Sequence, residues 1–84
     1  MKITILTPEK QVFSGTACGI QLPGNTGSFE LLDKHAPILA SLKKGNLKVI
    51  KANGGNDDIN YHITGGFIEC NDNNVSVMVE GIIM

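Results

Sequence analysis

The sequence predicts an all-β fold, a two-sheet β-sandwich. Three observations predict it. Apolar residues recur with period two in several short runs. Turn-forming residues separate those runs at a spacing close to the roughly 8–12 residues of sandwiches and barrels. Helical signals are thin. The clearest runs are Ile59, Tyr61 and Ile63, alternating with Asn60, His62 and Thr64, and Val75, Val77 and Val79, alternating with Ser76, Met78 and Glu80. Successive strand side chains point to opposite faces, so each run lays one face on a core.

The remaining elements follow in chain order. Lys2–Thr7 reads as a first strand ended by Pro8, which has no N–H to give a ladder. Phe13-Ser14-Gly15 and Cys18–Leu22 read as two short strands around a bend, and Pro23-Gly24-Asn25 as a turn. The only helical candidate is His35–Leu42, a turn or two interrupted near its start by Pro37. After the turn residues Lys44-Gly45-Asn46, Leu47, Val49 and Ile50 lie in another strand. Asn53-Gly54-Gly55-Asn56 reads as a hairpin tip, and Asn71–Asn74 as a further turn. Ten glycines in 84 residues provide many positions where φ can be positive. The expectation is one domain over residues 1–84, its sheets about 10 Å apart.

Composition narrows the function. Net charge is −1, so no basic field attracts nucleic acid or anionic lipid. Charged residues are 18% of the chain, below the roughly 25% of soluble domains, which points to a surface that partly meets another protein. The opening Met1-Lys2-Ile3-Thr4-Ile5 lacks the apolar core of a signal peptide, and no apolar run approaches the ~20 residues of a membrane helix. A cytoplasmic location is expected, with membrane association only through something bound. Cys18 and Cys70 lack metal-ligand spacing and are expected as buried free thiols.

No catalytic, metal or cofactor site is expected. His62 falls on the polar face of its strand. Asp57 and Asp58 are adjacent and point to opposite faces, so they do not pair. Gly24-Asn25-Thr26-Gly27 is glycine-rich but is followed by neither lysine nor helix, and reads as a turn rather than a phosphate cradle. Ser14, Ser28, Ser41 and Ser76 lack a nucleophile-elbow context. The unusual stretch is Gly24–Pro37, where Phe29, Leu31 and Leu32 cluster between two turns. Either they form another core strand, or some of them form an exposed contact patch. Alternation forbids burying Leu31 and Leu32 on one face.

Thr7-Pro8-Glu9 followed by Val12-Phe13-Ser14-Gly15 resembles the opening of the ε subunit of rotary F-type ATP synthases. Leu22-Pro23-Gly24, Gly27-Ser28-Phe29, His35-Ala36-Pro37, Leu42 with Gly45, Gly65-Gly66-Phe67-Ile68-Glu69 and Asn74-Val75-Ser76-Val77 follow in that family's order across almost the whole chain. The resemblance implies a ten-stranded sandwich of two five-stranded sheets. It also implies a non-catalytic central-stalk rotor subunit that binds the γ subunit and rests on the polar loops of the c-ring. That places it on the cytoplasmic face of the bacterial inner membrane. No cofactor and no homo-oligomer are expected.

The resemblance assigns much of the contact surface to Gly24–Pro37, with Phe29, Glu30, Leu31, Leu32, His35 and Pro37 as the partner-binding residues. Pro37 holds Ala36 extended. Gly65-Gly66 is expected to permit a tight connection or bulge that a side chain would block. Longer members continue into two C-terminal helices that can block rotation. A chain ending at Met84 is expected to be a short form that couples rotation, does not itself inhibit, and binds ATP poorly. Two other readings fit the sequence less well. A stand-alone ligand-binding sandwich normally offers aromatic platforms, whereas this chain has no Trp, one Tyr and three Phe. A small hydrolase lacks a nucleophile and base in any recognisable context.

Overall fold

The computed structural model describes residues 1–51 and 58–83. The expected hairpin tip at Asn53–Asn56, Asp57 and Met84 lie outside the described residues. Every regular element described is a strand. They are β1 (Lys2–Leu6), β2 (Gln11–Thr16), β3 (Gly19–Gly24), β4 (Gly27–Leu32) and β5 (Ile38–Leu42), followed by β6 (Gly45–Ile50), β7 (Ile59–Ile63), β8 (Gly66–Asn71), β9 (Asn74–Val79) and β10 (Ile82–Ile83).

Hydrogen bonding runs through all ten strands, but the ladder narrows to one residue pair, Gly24 with Leu42, between β3 and β5. That pair divides the sheet into two halves. One runs β4-β3-β6-β7-β10 and the other β5-β8-β9-β1-β2. Lys43 N donates to Pro23 O at 2.8 Å beside the seam. Every ladder is antiparallel except β1 on β9.

The core follows from the alternation. Ile20, Leu22, Leu31, Leu47, Val49 and Ile63 of the first half meet Ile3, Ile5, Ile68, Cys70, Val75 and Val77 of the second. Among the described residues no polar or charged side chain is buried. The two clear alternating runs behave as expected: Val75, Val77 and Val79 are buried, Ile59 and Tyr61 are half-buried over a buried Ile63, and His62 is exposed. Cys70 is a buried free thiol. Cys18 is only half-buried, with Sγ 3.8 Å from the Lys51 carbonyl oxygen.

The helical expectation is corrected. Residues 38–42 are not helical. They form β5, paired with β8 from Ile38 opposite Cys70 to Leu42 opposite Gly66. Ile38, Ala40 and Leu42 turn inward while Leu39 and Ser41 turn out, which is period two. Pro37 stands just before the strand, where its missing N–H interrupts no ladder.

Two turns place the surface described next. Asp72 and Asn73 have φ of 54° and 63° between the paired Asn71 and Asn74, the pattern of a type I′ hairpin. Gly66, at φ +154°, opens β8 so close to β9 that an added Cβ would overlap the Met78 carbonyl oxygen and lie 2.8 Å from Val79 Cα. The Gly65-Gly66 pair therefore plays the role expected of it, at a close approach of two backbones.

Candidate protein-interaction surface

The Gly24–Pro37 stretch is a hairpin strand followed by a turn. Asn25 and Thr26 form the tip between the paired Gly24 and Gly27. Along β4, Phe29 and Leu31 face inward and Ser28, Glu30 and Leu32 face outward. Phe29 is half-buried. Leu31 is 1% exposed, so its side chain is core and is not available to a partner. This corrects its place among the contact residues. Leu32 is 54% exposed, and lies over Gly19 beside Ile50. Glu30, His35 and Pro37 are exposed.

The turn after β4 is held by side chains as much as by backbone. Asp33 Oδ1 accepts from the Met1 amine at 2.6 Å and from Asn73 Nδ2 at 3.0 Å. Lys34 N donates to Asn73 Oδ1 at 2.8 Å. The Met1 amine also donates to Ala17 O, Asp33 N to Cys18 O, and His35 N to Leu32 O. Hydrogen bonds from the Met1 amine, then from Asn73, hold the Asp33 carboxyl below its ordinary value. A polar hollow lies over this end, lined by Lys34–Pro37 and Asn71–Asn73.

The outer faces of the two halves differ in chemistry. On the first, Glu30, Gln21, Lys48 and Asn60 stand side by side across four strands, as a water-facing sheet surface should. On the second, the cross-strand row reads Ser41, Phe67, Met78, Leu6. Phe67 is 55% and Met78 56% exposed, and Leu39 on the next row is 74% exposed. A groove of about 500 Å³ runs beside the row, between Thr7-Pro8 and Ser41. Large apolar side chains clustered on a finished sheet face mark an interaction site. Sequence reasoning missed this face, because it placed Met78 in the polar phase of β9 with Ser76 and Glu80. The usable signal was that an apolar residue occupied the polar phase at all.

Among the described residues, no three His, Cys, Asp or Glu side chains group to hold a metal ion.

The model of the ATP synthase delta/epsilon chain β-sandwich domain matches residues 1–84. The chain belongs to that family. The ATP synthase epsilon chain of Chlorobium limicola is 35% identical over 81 residues, covering 96% of this chain and 90% of the relative. That of Salinibacter ruber is 36% identical over 89 residues, covering 98% of this chain and 59% of the relative. The chain thus spans almost all of one epsilon chain and under two thirds of another. The relatives' name is that of one subunit of a larger enzyme, and an epsilon chain is not itself catalytic.

Two solved structures share the fold. A chain in the Euglena gracilis mitochondrial ATP synthase, solved as OSCP/F1/c-ring, superposes with TM-score 0.86 at 24% identity, over 96% of this chain and 51% of that one. A chain in the central stalk/c-ring structure of the Tetrahymena thermophila enzyme gives TM-score 0.79 at 24% identity, over 98% of this chain and 64% of that one.

Proposed function

We propose that this chain is a non-catalytic rotor subunit of an F-type ATP synthase, joining the γ subunit to the c-ring so that ion-driven rotation reaches the catalytic head. The observation that carries the reading is the apolar row of exposed Phe67 and Met78 with half-buried Leu6, and exposed Leu39 on the next row, on a chain of the delta/epsilon family. A joint that bears torque works by not slipping. It needs an interface of about 1,000 Å² or more, with an apolar centre that excludes water. The outer face of the second half has that character and is assigned to γ. The polar end with His35 and Pro37, together with Leu32, Glu30 and the edge of Phe29 along β4, is assigned to the polar loops of the c-ring. The protein contributes area, shape and rigidity rather than reacting groups. It sits on the cytoplasmic face of the bacterial inner membrane through the complex, without forming a homo-oligomer.

The test is capture of the tagged chain from detergent-solubilised membranes, read by native mass spectrometry. Recovery of γ and the c-ring with the wild-type chain, and loss of γ with Phe67→Glu, is the expected result. A chain that elutes as a monomer, or with neither partner, contradicts the reading.

A further inference from the structure

The turn after β4 has a feature that its own backbone does not explain. Lys34 is a non-glycine residue at φ 66°, in the left-handed region, and residues 33–37 are all exposed. Lys34 gains nothing from burial there, and its Cβ disfavours that backbone. Strained residues persist where neighbouring groups over-determine them, and they gather at functional segments.

The group that determines it here is remote in sequence. Asn73, itself at φ 63° in the β8–β9 turn, bonds through its side-chain amide to the turn after β4. Its Oδ1 takes the Lys34 N–H at 2.8 Å, and its Nδ2 gives to Asp33 Oδ1 at 3.0 Å. Asp33 is anchored in turn by the Met1 amine at 2.6 Å. Asn73 is fixed from behind, because its carbonyl oxygen takes the Lys2 N–H at 3.1 Å. The amide therefore fills one donor and one acceptor vacancy of the same turn, a reciprocal arrangement that only a side-chain amide of this reach supplies.

We infer that Asp33 and Asn73 are positioning residues. They clamp residues 33–37 into one shape across the end of the sandwich, and partner affinity at this end depends on that clamp. The inference rests on the assignment of this end to the c-ring made above, and adds how the contact is kept ready. A preformed turn loses less freedom on binding, so the clamp acts on affinity through the Lys34 and His35 backbone.

The experiment uses the full chain with three variants: Asp33→Asn, Asn73→Gly and the exchange Asp33→Asn with Asn73→Asp. Glycine keeps the positive φ of the β8–β9 turn while removing the amide. In the exchange variant the side-chain donor moves to position 33 and the acceptors to position 73, so the reciprocal pair is restored with its polarity reversed. Hydrogen exchange at the Lys34 amide reports the clamp, and exchange at Ile68 and Val77 reports folding. Affinity is read by titrating purified c-ring carrying γ in detergent micelles.

Asn73→Gly should speed exchange at Lys34 and weaken binding by about tenfold each, the size of one well-placed hydrogen bond. Asp33→Asn should do the same in part, through the lost charge facing the Met1 amine, and the exchange variant, which keeps that loss but has both amide bonds, should recover exchange and affinity from the Asn73→Gly level to the Asp33→Asn level. Ile68 and Val77 should stay protected throughout. If Lys34 exchanges at the wild-type rate in Asn73→Gly, the clamp is overturned and the rotor reading stands. If Lys34 exchange speeds up and recovers but affinity never moves, the positioning role falls together with the assignment of this end to the c-ring.

Discussion

Gly66→Ala tests the geometry that shapes the apolar face. Gly66 opens β8, opposite Leu42 on one side and Val79 on the other, at φ +154°. An alanine Cβ there lies 2.8 Å from Val79 Cα, against the 3.4 Å at which ordinary contact begins, and overlaps the Met78 carbonyl oxygen. The obstacle is backbone on a central strand, so β9 has to retreat by at least 0.6 Å and its pairing with β8 opens. Overpacking of this kind and a disfavoured φ each cost about 1–3 kcal/mol, giving about 3 kcal/mol together. For a domain of this size that lowers Tm by roughly 12 °C or more. Gly27→Ala is the internal control. Gly27 also has a positive φ, +138°, but nothing lies within 4 Å of its added Cβ. Only the conformational cost of about 1–3 kcal/mol remains, without the overpacking. Urea unfolding followed by circular dichroism measures both. If Gly66→Ala is no more destabilised than Gly27→Ala, the close approach of β8 and β9 is not as described.

Three further outcomes are expected. Phe67→Glu and Met78→Glu change exposed side chains, so Tm should move by only a few degrees; affinity for γ by titration calorimetry should fall more than about tenfold, and unchanged affinity would remove this face from the interface. Leu31→Ala should cost about 2–5 kcal/mol and Leu32→Ala under about 0.5 kcal/mol in urea unfolding, because only Leu31 is core. Asp33 has its pKa lowered on folding by the Met1 amine and Asn73, so its carboxylate stabilises the fold above its unfolded value and loses that contribution as pH falls through the lower folded value. The stability difference between wild type and Asp33→Asn should therefore be full near pH 7 and shrink only below about pH 4.

Much of the fold was legible because one-sided burial leaves a local trace. Ile3 and Ile5, Leu47 and Val49, and the three valines of β9 each sit two apart, and only a strand puts such residues on one face. The opposed fates of Leu31 and Leu32 follow from the same rule. β5 was misread because Ile38–Leu42 contains helix-tolerant leucine and alanine, and its strand state comes from pairing with β8, some thirty residues away in sequence. The apolar face was missed for a different reason. Period-two reading treats the outward phase of a strand as polar and solvent-facing, and Phe67, Met78 and Leu39 are large apolar residues that stand in that phase. The Asp33–Asn73 contact spans 40 residues and leaves no local pattern.

The most direct test of the central claim is coupling. ATP synthase stripped of this subunit is reconstituted into vesicles, and ATP-driven ion pumping is measured as the purified chain is added back. Wild type should restore pumping with one chain per enzyme, and Phe67→Glu, folded but unable to dock, should not. Full pumping without the chain, or equal restoration by Phe67→Glu, contradicts it.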